Sequence, residues 1–318
     1  MENTENESKD IVWHYTKMDV LEKMLTKDGV NIRFTNIKCK NDISEGLLLK
    51  ELFLKYKSDI FEIDGIKEKY NINDIDNQTF DYERRLGASY LFSATYEKDS
   101  MIFWNKEYAG MDGVSIGFYK NYNIFLPEVH DVDFTSSLTR ENLFEDIYYC
   151  NPEVDYNKAD LLKSIAYNLN KYYDKCEEYS KDCKFSKFTG ILLSNLLEKF
   201  IINFSGIYKH NSWEEEREVR ILISNYLENL DDGCGKLHAK VECVGNELIK
   251  TCYRTFNKGF IKQIMLGPKC KSEHEKYVKK YLEKNGYNYV NVLKSSAFAL
   301  EHKTNKSEEL LKALDWKN

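Results

Sequence analysis

The chain has only three prolines and 15 glycines in 318 residues, a scarcity that argues against long linkers. It has no Cys-x-x-Cys pair and no paired histidine spacing, so its eight cysteines read as small core or surface residues of a reducing compartment and not as a zinc framework. Four disulfides are the competing reading, but a chain of this size does not need such staples. No run approaches the roughly 20 apolar residues of a membrane span. Met1 to Asp10 shows no basic segment followed by an apolar one, and the expectation is a cytoplasmic protein with no membrane partner. An excess of positive charge is missing too. The formal net charge of −6 removes any global pull toward nucleic acid or an anionic membrane, leaving only local patches such as the Lys-rich stretch 275–284, for which a solvated helix face is the plainer reading.

What is abundant is aromatic: 23 Tyr and 17 Phe, in a composition otherwise ordinary for a globular protein. Residues 1–9 are polar with nothing to bury and are expected to be disordered. Residues 10–318 are expected to form one α+β domain. Strands are predicted at Ile11 to Tyr15, Asn31 to Thr35, Ser89 to Thr95, Gly113 to Phe118, Glu128 to Phe134, Trp213 to Ile223, Lys236 to Cys243, Leu248 to Tyr253, Ile261 to Leu266 and Tyr287 to Ser295. Helices are predicted from an N-cap at Thr16 to Lys27, from the turn Asn41 to Glu45 through Tyr56, over Ser100 to Ala109, over Lys271 to Asn285 and over Ser307 to Trp316. Between about 141 and 208 apolar residues recur at three and four, and this block reads as a helical lobe inserted beside the sheet.

The chain is organised around Trp213 to Ile223, which begins as pure charge and ends as pure hydrocarbon. Read as one strand, it places Arg217, Val219, Ile221 and Ile223 on one face and Glu216, Glu218, Arg220 and Leu222 on the other. Two carboxylates roughly 6.5 to 7 Å apart at the backbone can act on one ligand, and Arg220 offsets their mutual repulsion. The competing reading is an edge strand with a solvated, charged lead-in.

His14-Tyr15-Thr16 at a strand end, the Asn41-Asp42 to Glu45 turn, Phe92-Ser93, Trp104 to Tyr108 leading to Gly113 through Phe118, the Trp213-x-x-Glu216-x-Glu218-x-Arg220 stretch and Ile264 to Gly267 follow one order. Together, over about residues 11 to 270, they resemble the bacterial domain of unknown function 2971. More distantly, His-Tyr-Thr before a short helix, a second-strand hydroxyl and a Glu-x-Glu on a third strand resemble the ADP-ribosyltransferase superfamily. That resemblance implies a mixed, largely antiparallel sheet of the ADP-ribosyltransferase kind and NAD as substrate. His14 with Tyr15 and Thr16 would hold the ribose and carboxamide; Ser93, near Thr95, would be the second-strand hydroxyl; Tyr108 or Tyr90 would stack on nicotinamide. Glu218 would be the catalytic carboxylate, Glu216 its partner in choosing the acceptor, and Arg220 a neighbour of the bound cofactor. The chain departs from the superfamily by combining a first-strand His with Glu-x-Glu, a mixture of two patterns.

The chemistry fits those residue types. Cleaving the ribose–nicotinamide bond builds positive charge on the sugar, which a fixed carboxylate in a dry cleft stabilises without a metal. Two functions of different class follow. One is an enzyme transferring ADP-ribose to a protein or nucleic-acid acceptor, or to water. The other is a nucleotide- or nucleic-acid-binding regulatory module without turnover, in which Glu218 is consumed by Arg220 or a neighbouring base. A metal-dependent nuclease on Asp42, Glu45 and Glu216 is the weakest option, since no lysine stands on the Glu216 strand. Each site residue has a plainer role as well: His14 as a core histidine, Ser93 and Thr95 as strand residues, Trp104 and Tyr108 as packing, Asp42 and Glu45 as a helix start.

Overall fold

The structure is a computed structural model and describes residues 11–39, 46–63, 65–66, 69, 89–105, 108–120, 144–153, 158–180, 196–224, 240–244 and 247–297. In chain order the elements are β1 (Ile11–Thr16), α1 (Met18–Met24), β2 (Val30–Asn36), α2 (Leu48–Phe61), β3 (Ser89–Thr95), β4 (Val114–Tyr119), β5 (Glu145–Asp146), β6 (Tyr148–Cys150), α3 (Lys158–Ser180) and α4 (Leu196–Phe204). They continue with β7 (Tyr208–His210), a 3-10 turn (Asn211–Glu216), β8 (Glu218–Ser224), β9 (Lys240–Val244), β10 (Glu247–Phe256), β11 (Ile261–Leu266), α5 (Ser272–Lys284) and β12 (Asn291–Lys294). This is a mixed α and β protein with a largely antiparallel open sheet and several helices. Among the described residues no helix is long and apolar enough to cross a membrane. The tail 1–9, the Asn41 to Glu45 turn, Glu128 to Phe134 and the Ser307 to Trp316 helix lie outside the described residues.

The chain divides into two compact units: residues 1–32, 94–122 and 254–318 make the first, and residues 33–93 and 123–253 the second. In the first, β4 is the middle of a ladder. It pairs antiparallel with β1 through Trp13↔Gly117 and with β11 through Ile264↔Ile116, while β12 adds parallel to β11. Alternation along β1 puts Ile11, Trp13 and Tyr15 against Phe103, Trp104 and Ala109. Tyr15 stacks on Phe103 at 4.9 Å and meets Trp104 edge-on at 4.8 Å. Its hydroxyl donates to the Glu97 carbonyl (2.8 Å) and accepts the Ser100 N–H (3.1 Å), and burial pushes its pKa well above the usual phenol value.

Two sequence expectations change in this unit. Thr16 is the last residue of β1, buried and paired opposite Val114, and not the cap of α1; Lys17 occupies the cap position without a side-chain hydrogen bond. The described part of Ser100 to Ala109 is a series of turns and not a helix. The reason is Asp99, whose Oδ1 accepts the Trp104 indole N–H (2.7 Å) and the Ser295 hydroxyl (2.6 Å), while Oδ2 accepts the Ser296 N–H (2.8 Å). One carboxylate thus folds the aromatic loop back and ties it to the end of β12. Replacing Asp99 with alanine leaves the buried Trp104 N–H without its partner and is expected to cost about 1 to 3 kcal/mol. A thermal melt followed by tryptophan fluorescence reads that loss, and an unchanged midpoint would remove the role assigned to Asp99.

The second unit has its own core, a layer of helices whose apolar faces meet. Along α3, Leu161, Ile165, Leu169 and Tyr172 fall on one side of the helix and are buried. Tyr172 packs edge-on against Phe204 at 6.1 Å, and Phe200 stacks on Phe204 at 4.8 Å. The strands of this unit pair as β2 with β3 (Thr35↔Leu91), β8 with β3 and β5, and β10 with β9 (Leu248↔Cys243). A separate two-stranded parallel ladder, β6 with β7, stands between the helices and the charged turn. The block 141–208 therefore contains α3 and α4 and also the short strands β5 and β6 at its start.

Candidate functional site

The parallel register of β6 and β7 sets Tyr149 beside Lys209 and Cys150 beside His210. After His210 the chain enters the 3-10 turn Asn211–Glu216, and the His210 ring accepts the Ser212 N–H through Nδ1 (3.2 Å). The turn ends at Arg217, whose φ of 43° and ψ of 48° lie in the left-handed region. A non-glycine residue there carries steric cost. Its effect is to break the line of the chain between Glu216 and Glu218. The expected single strand from Trp213 is thereby corrected: Trp213 to Glu216 belong to the turn, and β8 starts at Glu218.

Although separated by that break, both carboxylates reach one ammonium. Lys209 Nζ lies 2.7 Å from Glu216 Oε2 and 2.9 Å from Glu218 Oε2. Arg220 grips Glu218 from the other side, Nε to Oε1 at 2.7 Å and NH2 to Oε2 at 2.7 Å, while NH1 donates to the Gly206 carbonyl at 2.7 Å. The Glu218 backbone N–H donates to the Tyr149 hydroxyl at 2.7 Å. Arg220 is 1% exposed and Lys209 and Glu218 each 7%, so the charges of β8 itself are buried, while Glu214, Glu215 and Arg217 before it are exposed, as the competing reading of a solvated lead-in expects. Two cations and two anions make the cluster formally neutral, and its hydrogen bonds supply the pairing that buried charges require. Burial works to lower the Lys209 pKa, and Arg220 adds to that, but Glu218 and Glu216 outweigh both and hold it above the ordinary lysine value. Burial and the neighbouring carboxylates push the Tyr149 phenol up, against the Glu218 N–H.

The rim is aromatic. Trp213 is 37% exposed, and Lys209 Nζ sits 5.0 Å from the centre of its ring. The Glu216 side chain is 15% exposed. Gly206 closes the other end: a Cβ there would lie 2.3 Å from Leu222 Cδ2, a contact the Leu222 side chain would have to shift to relieve.

The residues singled out from sequence are divided between the two units. Glu216, Glu218 and Arg220 come together in the second unit, joined by Lys209, Tyr149 and the Gly206 carbonyl, which sequence reasoning missed. His14, Tyr15, Thr16 and Tyr108 belong to the first unit. There His14 is half-buried on β1 opposite Ile116, and Tyr108 is 37% exposed with its ring edge-on to Phe103 at 5.3 Å. Ser93 is half-buried on β3 in the second unit; Tyr90, on the same strand, is wholly buried with Lys250 Nζ 5.7 Å from its ring centre. Among the described residues no group of three or more His, Cys, Asp or Glu side chains is arranged to hold a metal ion.

Known proteins place part of this chain. Residues 104–221 match the model of a family described as Protein of unknown function (DUF2971). The DUF2971 match begins at Trp104 and ends in β8, so it takes in Tyr149, Lys209, Glu216, Glu218 and Arg220 and leaves out His14 and the rest of β1. It is narrower than the span of about 11 to 270 over which the sequence motifs run. No curated protein and no solved structure matches the chain.

Proposed function

We propose that the chain is a nucleotide-binding regulatory module whose ligand meets the Trp213 to Glu216 turn, with Glu218 as an internal support. The observation that carries this reading is the occupation of Glu218: Arg220 holds both its oxygens and Lys209 one of them, all within 2.9 Å. A carboxylate that stabilises a developing sugar cation must bring its negative charge to the substrate. The charge of Glu218 is already met by two cations. Trp213, half-exposed beside a lysine, offers a stacking surface of the kind bases use.

A second reading is favoured by Glu216. It stands nearer the solvent than Glu218 and beside Trp213, so in an NAD-dependent ADP-ribosyltransferase or NAD glycohydrolase it would take the charge-stabilising role in place of Glu218. The acceptor would be a protein, a nucleic acid or water, and no metal is needed. Titration calorimetry with NAD and with ADP-ribose, run beside an assay for free nicotinamide with and without cell extract, separates the two. Saturable binding without nicotinamide release supports the module. Release that falls about a hundredfold in Glu216→Gln supports transfer. Neither binding nor release removes both readings.

A further inference from the structure

The charge of this chain is unevenly spread. Residues 254–297 carry ten Lys and Arg against three Glu, a local excess of +7 in a protein whose net charge is −6. This stretch lies in the first unit and includes β11, α5 and β12. Within it, α5 buries Val278 and Leu282, which fixes the opposite side of the helix to solvent. On that side stand Lys276, Lys280 and Lys284, each four residues from the next and all exposed. Like charges at this spacing destabilise a helix, and no described acidic side chain pairs with any of the three. Of the three acidic residues of the stretch, Glu275 is taken by Lys279 (2.7 Å) and Lys294 (2.9 Å), while Glu273, three before Lys276, and Glu283, three after Lys280, are exposed on the same side as the lysines. Tyr277, three residues before Lys280 and seven before Lys284, shares their side of the helix. It is 45% exposed, stacked on Tyr281 at 6.4 Å, and its hydroxyl is held by Glu22.

We propose that this face of α5 binds single-stranded nucleic acid, independently of the Glu216 turn. Steps of four residues along a helix are about 6 Å, a repeat of the order of the phosphate spacing along a strand. The lysines meet successive phosphates, and Tyr277, fixed by Glu22, presents a ring face on which a base stacks. An anionic membrane is the poorer partner, because surface helices that bind membranes insert an apolar face and the apolar face of α5 is buried in the unit.

The test uses the full chain and fluorescein-labelled oligo(dT) and oligo(U), followed by anisotropy across a salt series, for wild type and Lys276→Gln/Lys280→Gln/Lys284→Gln. Wild type is expected to bind, and the triple variant to bind at least tenfold more weakly, with the slope of log K against log salt smaller by about 2, at roughly 0.7 per lost phosphate contact. Removing the like-charge spacing should leave the melting temperature unchanged or raised, which shows that the loss is not unfolding. Tyr277→Leu, which keeps the lysines, should weaken binding while leaving the salt slope as it was. The proposal is overturned if wild type binds neither oligonucleotide, if the triple variant binds as wild type does, or if phosphatidylserine vesicles are bound in preference. Because no residue of the Glu216 turn is altered, NAD binding by the triple variant shows separately whether that other site stands.

Discussion

Glu218→Gln is expected to lower stability by about 3 to 5 kcal/mol, the cost of removing one member of a buried ion pair. Glutamine keeps the shape and can still accept hydrogen bonds, but Lys209 and Arg220 are left with Glu216 as their counter-charge in the cluster. For a unit of this size the melting midpoint should fall by roughly 10 °C. Removing the charges together reverses most of the loss, because hydrophobic residues of similar volume replace buried pairs at little cost. Glu218→Leu combined with Arg220→Met should therefore melt well above Glu218→Gln alone. A Glu218→Gln protein that melts like wild type would mean that the pair contributes nothing, and Glu218 would again be the first candidate for a reactive carboxylate. Nicotinamide release measured on the same samples decides whether any change follows turnover or folding.

The second large effect is expected at Gly113→Ala. A Cβ at this position would lie 2.3 Å from the Ala109 carbonyl oxygen and 2.6 Å from that of Thr16. Both are backbone atoms, so relief requires moving β1 or the loop before β4, and the cost is about 3 kcal/mol or more. Gly117→Ala is the comparison. Its Cβ would meet the side chains of Gln263, Ile11 and Trp13 at 3.1 to 3.2 Å, contacts that small side-chain shifts relieve. Hydrogen exchange of the β1 and β4 amides should accelerate in the first variant and change little in the second; equal protection in both would show that the backbone gives way there.

Ser89–Thr95 and Ile261–Leu266 were legible to the residue, and β4 nearly so, because a continuous apolar or β-branched run between turn residues has few other ways to be buried. Ser100 to Ala109 reads as a helix because its aromatics recur at helical spacing, while Asp99 holds them in turns. The break at Arg217 left no trace in composition: Trp-Glu-Glu-Glu-Arg-Glu alternates well enough to pass as strand, and only backbone geometry shows the left-handed residue. Lys209 is illegible for a different reason. A lone lysine next to His210, after the apolar run of α4, looks like the point where the chain returns to water, and its burial depends on carboxylates seven and nine residues later. Tyr149 is 69 residues from its partner Glu218, a distance no local pattern spans. Glu216, Glu218 and Arg220 were readable as a group because they are close in sequence.

The parallel pairing of β6 with β7 also bears on the order in which the chain is expected to fold. The register that sets Tyr149 beside Lys209 requires closing a long segment that contains α3 and α4. Helices form from local contacts and long closures come later. The Tyr149 hydroxyl is therefore expected to reach the Glu218 amide late, which would make the full dehydration of the cluster a late step on the way to the native state. Glu218→Gln should accordingly speed unfolding and leave the folding rate almost untouched in stopped-flow denaturant jumps, and an equal loss in the folding rate would place the cluster early instead.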